Sequence, residues 1–163
     1  MNRLHILYGV LFFVAILLQS TLVKFMDIGN IRPDLILIAL VIFSLNYGAV
    51  AGSTAGFFIG IISDLISGNV LGFGSLAKSI TGYIAGGGAG LFKDGSRFVV
   101  PLIVSCLVHD LVLFGVRNFD QPISWRVVMW FQILPTLGYT TILGLSVYLL
   151  IGNSLKRDEE ATY

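Results

Sequence analysis

Long apolar runs alternate along the chain with short clusters of charge, glycine and asparagine, and most of the runs are long enough to cross a membrane. A helix needs about 20 residues to cover a hydrocarbon core of about 30 Å. The first such run covers about Leu4 to Val23 and is closed by Lys24, Asp27, Gly29, Asn30 and Arg32. The next apolar block, Pro33 to Ile66, would extend roughly 50 Å as one helix, too long for a bilayer even with tilt. It must fold back. Asn46-Tyr47-Gly48 is the natural turn, giving a short second span that opens on Pro33 and a third span from Ala49 to Ser67. Gly68-Asn69 makes the next turn, and a fourth span from Leu71 to Phe92 closes in Lys93-Asp94-Gly95-Ser96-Arg97. The fifth span covers Phe98 to Val116, with Pro101 tolerated in its first turn. After the loop Arg117 to Arg126, a sixth span runs from Val127 to Gly152, with Pro135 expected to kink it or to separate an interfacial segment from the span proper. Residues 1–152 thus form a single all-α, polytopic membrane domain of six helices, and 153–163 a short, polar, frayed tail.

Composition narrows the function. Of 163 residues 56% are hydrophobic and 12% charged, which excludes an ordinary soluble domain. The net charge of +1 supplies no basic surface for nucleic acid. Cys106 is the single cysteine, so no internal disulfide forms, and with His5 and His109 it makes no zinc or iron–sulfur set. Leu4 to Val23 is longer than the apolar part of a secretory signal, lacks a small-x-small cleavage site and is followed by further spans; it is a retained helix. An even number of spans puts both termini on one side. Arg3, Lys93, Arg97, Lys156 and Arg157 lie there, against Lys24, Arg32, Arg117 and Arg126 opposite, a bias that favours cytoplasmic termini by one charge.

The strongest periodicity is four residues: Gly48, Gly52, Gly56, Gly60, Asp64, Gly68 and Gly72, then Gly74, Lys78, Gly82, Gly86 and Gly90. Residues four apart share a helix face, and small residues there let two backbones approach where lipid removes the hydrophobic drive for helix association. Spans three and four are expected to pack glycine to glycine along Gly52, Gly56, Gly60, Gly82 and Gly86. A turn near Gly68 puts Gly60 opposite Lys78 and Asp64 one helical turn nearer the surface. Packing alone explains the glycines; the ionisable residues need more. Lys78 lies about 10 Å into span four, and an unpaired ammonium in hydrocarbon costs several kcal/mol. Asp110, in span five, has a similar depth, and antiparallel spans bring Asp64, Lys78 and Asp110 into one leaflet. A buried cluster of Asp64, Lys78 and Asp110 is expected, with His109 adjacent in sequence but turned about 100° around the helix. Its functional reading is a proton relay, a polar pocket or a partner-binding hot spot; its structural reading is an ion pair that fixes helix register.

No catalytic signature is present: there is no G-x-S-x-G, H-E-x-x-H, P-loop or dinucleotide fingerprint, and the glycines at 86–88 end a membrane helix. No enzyme, no cofactor and no metal site is expected.

Gly56-Phe57-x-x-Gly60-x-x-x-Asp64-Leu65-Ile66-Ser67-Gly68-x-x-Leu71-Gly72, followed by Leu76-Ala77-x-Ser79-Ile80-x-x-Tyr83 and preceded by Arg32-Pro33, resembles the rod shape-determining protein MreD family. The likeness extends over nearly the whole chain in length, span pattern and the acidic residue at Asp110. It implies a non-enzymatic subunit of the cell-wall elongation machinery in the bacterial plasma membrane. The implied partner is a single-span MreC-like protein, with links to RodA, a class B penicillin-binding transpeptidase and MreB. It also implies a fold similar to the substrate-binding subunits of energy-coupling-factor transporters. The turn carrying Asp64, Leu65, Ser67, Gly68 and Gly72 is the candidate partner-binding element. The alternative is a small-solute-binding transporter subunit, for which the Asp64, Lys78 and Asp110 cluster would serve as pocket. Its candidate span faces, mainly glycine and aliphatic, argue against it.

Overall fold

A segment that is apolar on every face has to be surrounded, and Leu35–Tyr47 is such a segment: nine of its thirteen residues are buried. In the computed structural model, which describes residues 3–21, 33–68, 70–92, 96–117 and 125–160, this short helix, α2, is the axis of a helical bundle. Around it stand α1 (Arg3–Thr21), α3 (Ala49–Ser67), α4 (Phe73–Gly87), α5 (Ser96–Arg117) and α7 (Leu134–Glu160). A four-residue helix α6 (Trp125–Val128) and a π-helical turn, Met129–Ile133, lead into α7. All regular structure among the described residues is helical. Arg32, Asn69 and the loops expected at 93–95 and 118–124 lie outside the described residues.

Three stretches among the described residues are long and apolar enough to cross a membrane: Ala49–Ser67, Ser96–Val116 and Arg126–Leu150. Ile6–Thr21 and Leu35–Tyr47 are shorter apolar helices. Leu37, Ile38, Val41 and Ile42 of α2 form the main core with Phe98, Leu102 and Cys106 of α5 and Ala85 of α4. Tyr8 closes it at the α1 end, where it meets Phe43 and Tyr47 edge-on, each at 5.3 Å between ring centroids. On the opposite flank Phe98 stacks on Tyr148 of α7 at 4.2 Å.

The closest pair is α3 with α4, where the glycine stripes meet backbone to backbone. A Cβ added to Gly52 would stand 2.6 Å from the Gly82 carbonyl oxygen; one on Gly56 would meet the Lys78 backbone, one on Gly60 the Ser75 backbone, and one on Gly86 the Ala49 backbone. The register differs from the sequence expectation by one helical turn, because Gly56, not Gly60, lies opposite Lys78. The cause is Asp64. Its Oδ2 accepts from the Gly72 and Gly74 N–H groups, both at 3.1 Å, so α4 starts beside Asp64 while α3 runs on past it to Ser67.

Other boundaries shift for local reasons. Helix α4 covers Phe73–Gly87, not Leu71 to Phe92, since Gly72 has φ +103 at its start and the glycine run at its far end propagates helix poorly. Helix α5 begins two residues before Phe98, which places Pro101 inside it and not in the first turn. Ahead of Pro135 the helix passes through a π turn, in which the Leu134 N–H donates to the Met129 carbonyl; Pro135, without an N–H, cannot continue the ordinary ladder there. The tail beyond Gly152 is not frayed throughout, for α7 continues to Glu160.

Candidate functional site: a polar cavity at one end of the bundle

Because α2 is only thirteen residues long, its first turn lies within the bundle, where bare N–H groups would be costly. Three elements satisfy it. Gln19 of α1 accepts from the Leu35 N–H at 2.8 Å and donates to the Pro33 carbonyl at 3.2 Å. Thr140 of α7 accepts from the Asp34 N–H at 3.4 Å. Asp34 itself caps the helix, its Oδ1 accepting from the Leu37 N–H at 2.9 Å. The cap leaves Asp34 Oδ2 pointing at α4 and α5, and there it meets Lys78 Nζ at 3.3 Å.

This pairing corrects the sequence reading, which gave Lys78 to Asp64 or Asp110. Lys78 is 4% exposed and its carboxylate partner is Asp34. Asp64, 3% exposed, is engaged instead with the backbone of the α3–α4 turn: its carboxylate holds the N–H groups of Gly72 and Gly74, and its carbonyl accepts from the Gly68 N–H. Gly72 has no capping side chain of its own, so Asp64 acts as the N-cap of α4 from the neighbouring helix. A Cβ on Gly74 would run into the Asp64 carboxylate and displace it from this cap. Asp110 lies 3.1 Å from the Nδ1 of its neighbour His109. The other ring nitrogen, Nε2, is buried without a hydrogen-bond partner and lies 3.8 Å from Asp34 Oδ2.

Although the pairings differ, Asp64, Lys78, His109 and Asp110 do line one cavity, of about 490 Å³, within the range of small-molecule sites. It lies at the end of the bundle away from Arg3 and Glu160, where α1, α3 and α5 finish and α2, α4 and α7 begin. Asp34, Gln19, Ser63, Ser67, Gln132 and Thr136 complete its polar wall, and Leu113, Phe114 and Ile133 its apolar one. The π turn contributes Gln132 and Ile133 to the lining. No group of three or more His, Cys, Asp or Glu among the described residues is placed to hold a metal ion.

Of the turn proposed for partners, Gly68 and Gly72 supply the backbone conformation, with φ of +65 and +103, and Ser67 faces the cavity. Leu65 points outward, 61% exposed, with Ile66, Val70 and Leu71 also more than half exposed.

The sequence reading missed Asp34, Gln19 and Thr140. For Asp34 a signal existed: an acidic residue directly before an apolar run too short to span a bilayer is an N-cap drawn inward. Gln19 and Thr140 carry no such mark: Gln19 looks like any polar residue near a span end, and Thr140 like one of several hydroxyl residues inside the last span.

A bundle of apolar helices around a buried axis, with charged side chains gathered into a cavity at one end, defines a helical membrane protein. The family model for the rod shape-determining protein MreD matches residues 2–156, and the chain belongs to that family. No solved structure matches the fold.

Proposed function

We propose that the protein is a non-catalytic subunit of the bacterial cell-wall elongation complex, embedded in the plasma membrane by six crossings with both termini cytoplasmic. In this reading it maintains rod shape by binding an MreC-like single-span protein, and it works alongside RodA, a class B penicillin-binding transpeptidase and MreB. Membership of a shape-determining family over residues 2–156 carries the proposal. The exposed Leu65, Ile66, Val70 and Leu71 beside the Asp64–Gly72 hydrogen bond support this end of α3 as the partner face. The proposal extends to a helix layout of the kind found in energy-coupling-factor substrate-binding subunits.

The test is depletion in the source bacterium with parallel affinity recovery from its membranes. Rounded cells and recovery of a single-span MreC-like protein are the expected result. Unchanged rods, loss of solute uptake and recovery of paired ATPase subunits would favour the solute-binding alternative, to which the polar cavity lends its weight.

A further inference from the structure

Family membership leaves the cavity without a use. By formal count its ionisable groups do not balance: three carboxylates, Asp34, Asp64 and Asp110, stand against the one ammonium of Lys78, with His109 beside them. The Lys78 ammonium is committed to Asp34, itself held in place by the α2 cap, so that pair is closed. The remaining negative charge belongs to Asp64 and Asp110, and neither faces a lysine or arginine within ion-pair distance among the described residues. Asp64 accepts from two backbone N–H groups at the positive end of α4, a favourable setting for a carboxylate with no cationic side chain beside it. Asp110 uses Oδ1 toward His109.

A second, independent feature points the same way. His109 is 5% exposed, and its Nε2 has no hydrogen-bond partner although it lines the cavity. A carboxylate only accepts, so Nδ1 beside Asp110 carries the hydrogen; in the neutral ring Nε2 then offers a lone pair, and Asp34 Oδ2, 3.8 Å from it and itself an acceptor, cannot satisfy it. Buried polar atoms in membrane helices are seldom left in this state. Unused carboxylate capacity together with an orphaned ring nitrogen is an acceptor set, and what complements it is a cation with several N–H donors.

We infer that the cavity bounded by Asp64, His109 and Asp110 binds a primary ammonium group, either the headgroup of an amino-phospholipid or a free small amine. The inference goes beyond the scaffold role and does not depend on which protein is recruited. A primary ammonium brings three donors and one charge. A quaternary ammonium brings the charge alone, and an anionic headgroup adds to the charge already present.

The full-length protein in nanodiscs of phosphatidylcholine and phosphatidylglycerol is titrated with ethanolamine and with choline, followed by saturation-transfer NMR. In a second arm, native mass spectrometry reads which lipid stays bound after reconstitution with phosphatidylethanolamine or with phosphatidylcholine. Ethanolamine, or phosphatidylethanolamine, is expected to bind about tenfold tighter than its trimethylated counterpart, the scale of a lost charge-assisted hydrogen bond. Asp110→Asn should remove most of that preference and Asp110→Glu should keep it; Asp110 is partly exposed, and retained thermal stability certifies the fold. If Asp110→Asn fails to fold, the wild-type contrast between the primary and quaternary amines decides. Binding in the first arm alone identifies a free amine, in the second alone a lipid. Equal binding of the two amines and of the two lipids, a preference for the anionic lipid, or a primary-amine preference unchanged in a folded Asp110→Asn protein would overturn the inference.

Discussion

The buried pair Lys78–Asp34 shows how one backbone need produces a charged site. Asp34 is present because the first turn of a short helix buried in the bundle needs a cap, and the oxygen left over neutralises an ammonium that could not otherwise lie 4% exposed in the bundle. Lys78→Met should cost about 3 kcal/mol, since it strands Asp34, and Asp34→Asn should cost a similar amount by stranding Lys78. The double variant should lose less than the sum of the two, with a coupling of about 1–3 kcal/mol in chemical unfolding of the detergent-solubilised protein; additive losses would mean that the pair is not coupled. Asp64 tests a different bond. Asp64→Ala removes the acceptor for Gly72 and Gly74 and should cost about 1–2 kcal/mol, while Asp64→Asn, which keeps an amide oxygen, should cost less in the same measurement. Depth counting along the spans was enough to gather Asp64, Lys78, His109 and Asp110 at one end of the molecule. It failed on Asp34 because Pro33 was read as the membrane surface, whereas thirteen helical residues reach only about 20 Å and leave the start of α2 inside.

At the level of elements, the α3–α4 contact was legible because four-residue glycine spacing has few other physical uses in a membrane helix. Its register was not, since register depends on where the turn is anchored, and the anchor is a side chain reaching across to the backbone of the next helix. The Ser53 and Ser79 hydroxyls, 2.9 Å apart across the same interface, reinforce that register. Gly60→Ala should therefore destabilise, because the added methyl meets the Ser75 backbone and not a movable side chain, and Gly56→Leu should do so more severely, by about 1–3 kcal/mol or beyond. Gly115→Ala and Gly138→Ala provide the contrast. A Cβ at either meets nothing within 4 Å, so both should leave the melting temperature unchanged or raise it slightly through the better helix propensity of alanine. Thermal unfolding of the four single variants side by side separates close approach from a general dislike of glycine replacement.

For the whole molecule the question is how a protein with its charge hidden in a cavity presents anything specific to a partner. Lipid solvates most exposed apolar faces of such a bundle equally well, so in the proposed role specificity needs a defined feature, and the end of α3 with the start of α4 is the candidate. Gly68 and Gly72 are left-handed and the Asp64 carboxylate accepts from the Gly72 and Gly74 N–H groups, while Leu65 and Ile66 at the end of α3 and Val70 and Leu71 before α4 are exposed. These four side chains are more than half exposed, so replacing them costs the isolated protein little. Leu65→Gln combined with Leu71→Gln should lower recovery of the MreC-like partner and round the cells, while membrane insertion and thermal stability remain at wild-type levels. Gly56→Leu should lower partner recovery and stability together. The two patterns differ in origin: the first removes a surface from an intact scaffold, the second loosens the scaffold that aims the surface. Full partner recovery by a folded Leu65→Gln/Leu71→Gln protein would move the interface to another face of the bundle, and the outward side of α7, where Ile142, Leu149 and Leu150 are two-thirds or more exposed, would be the next surface to substitute.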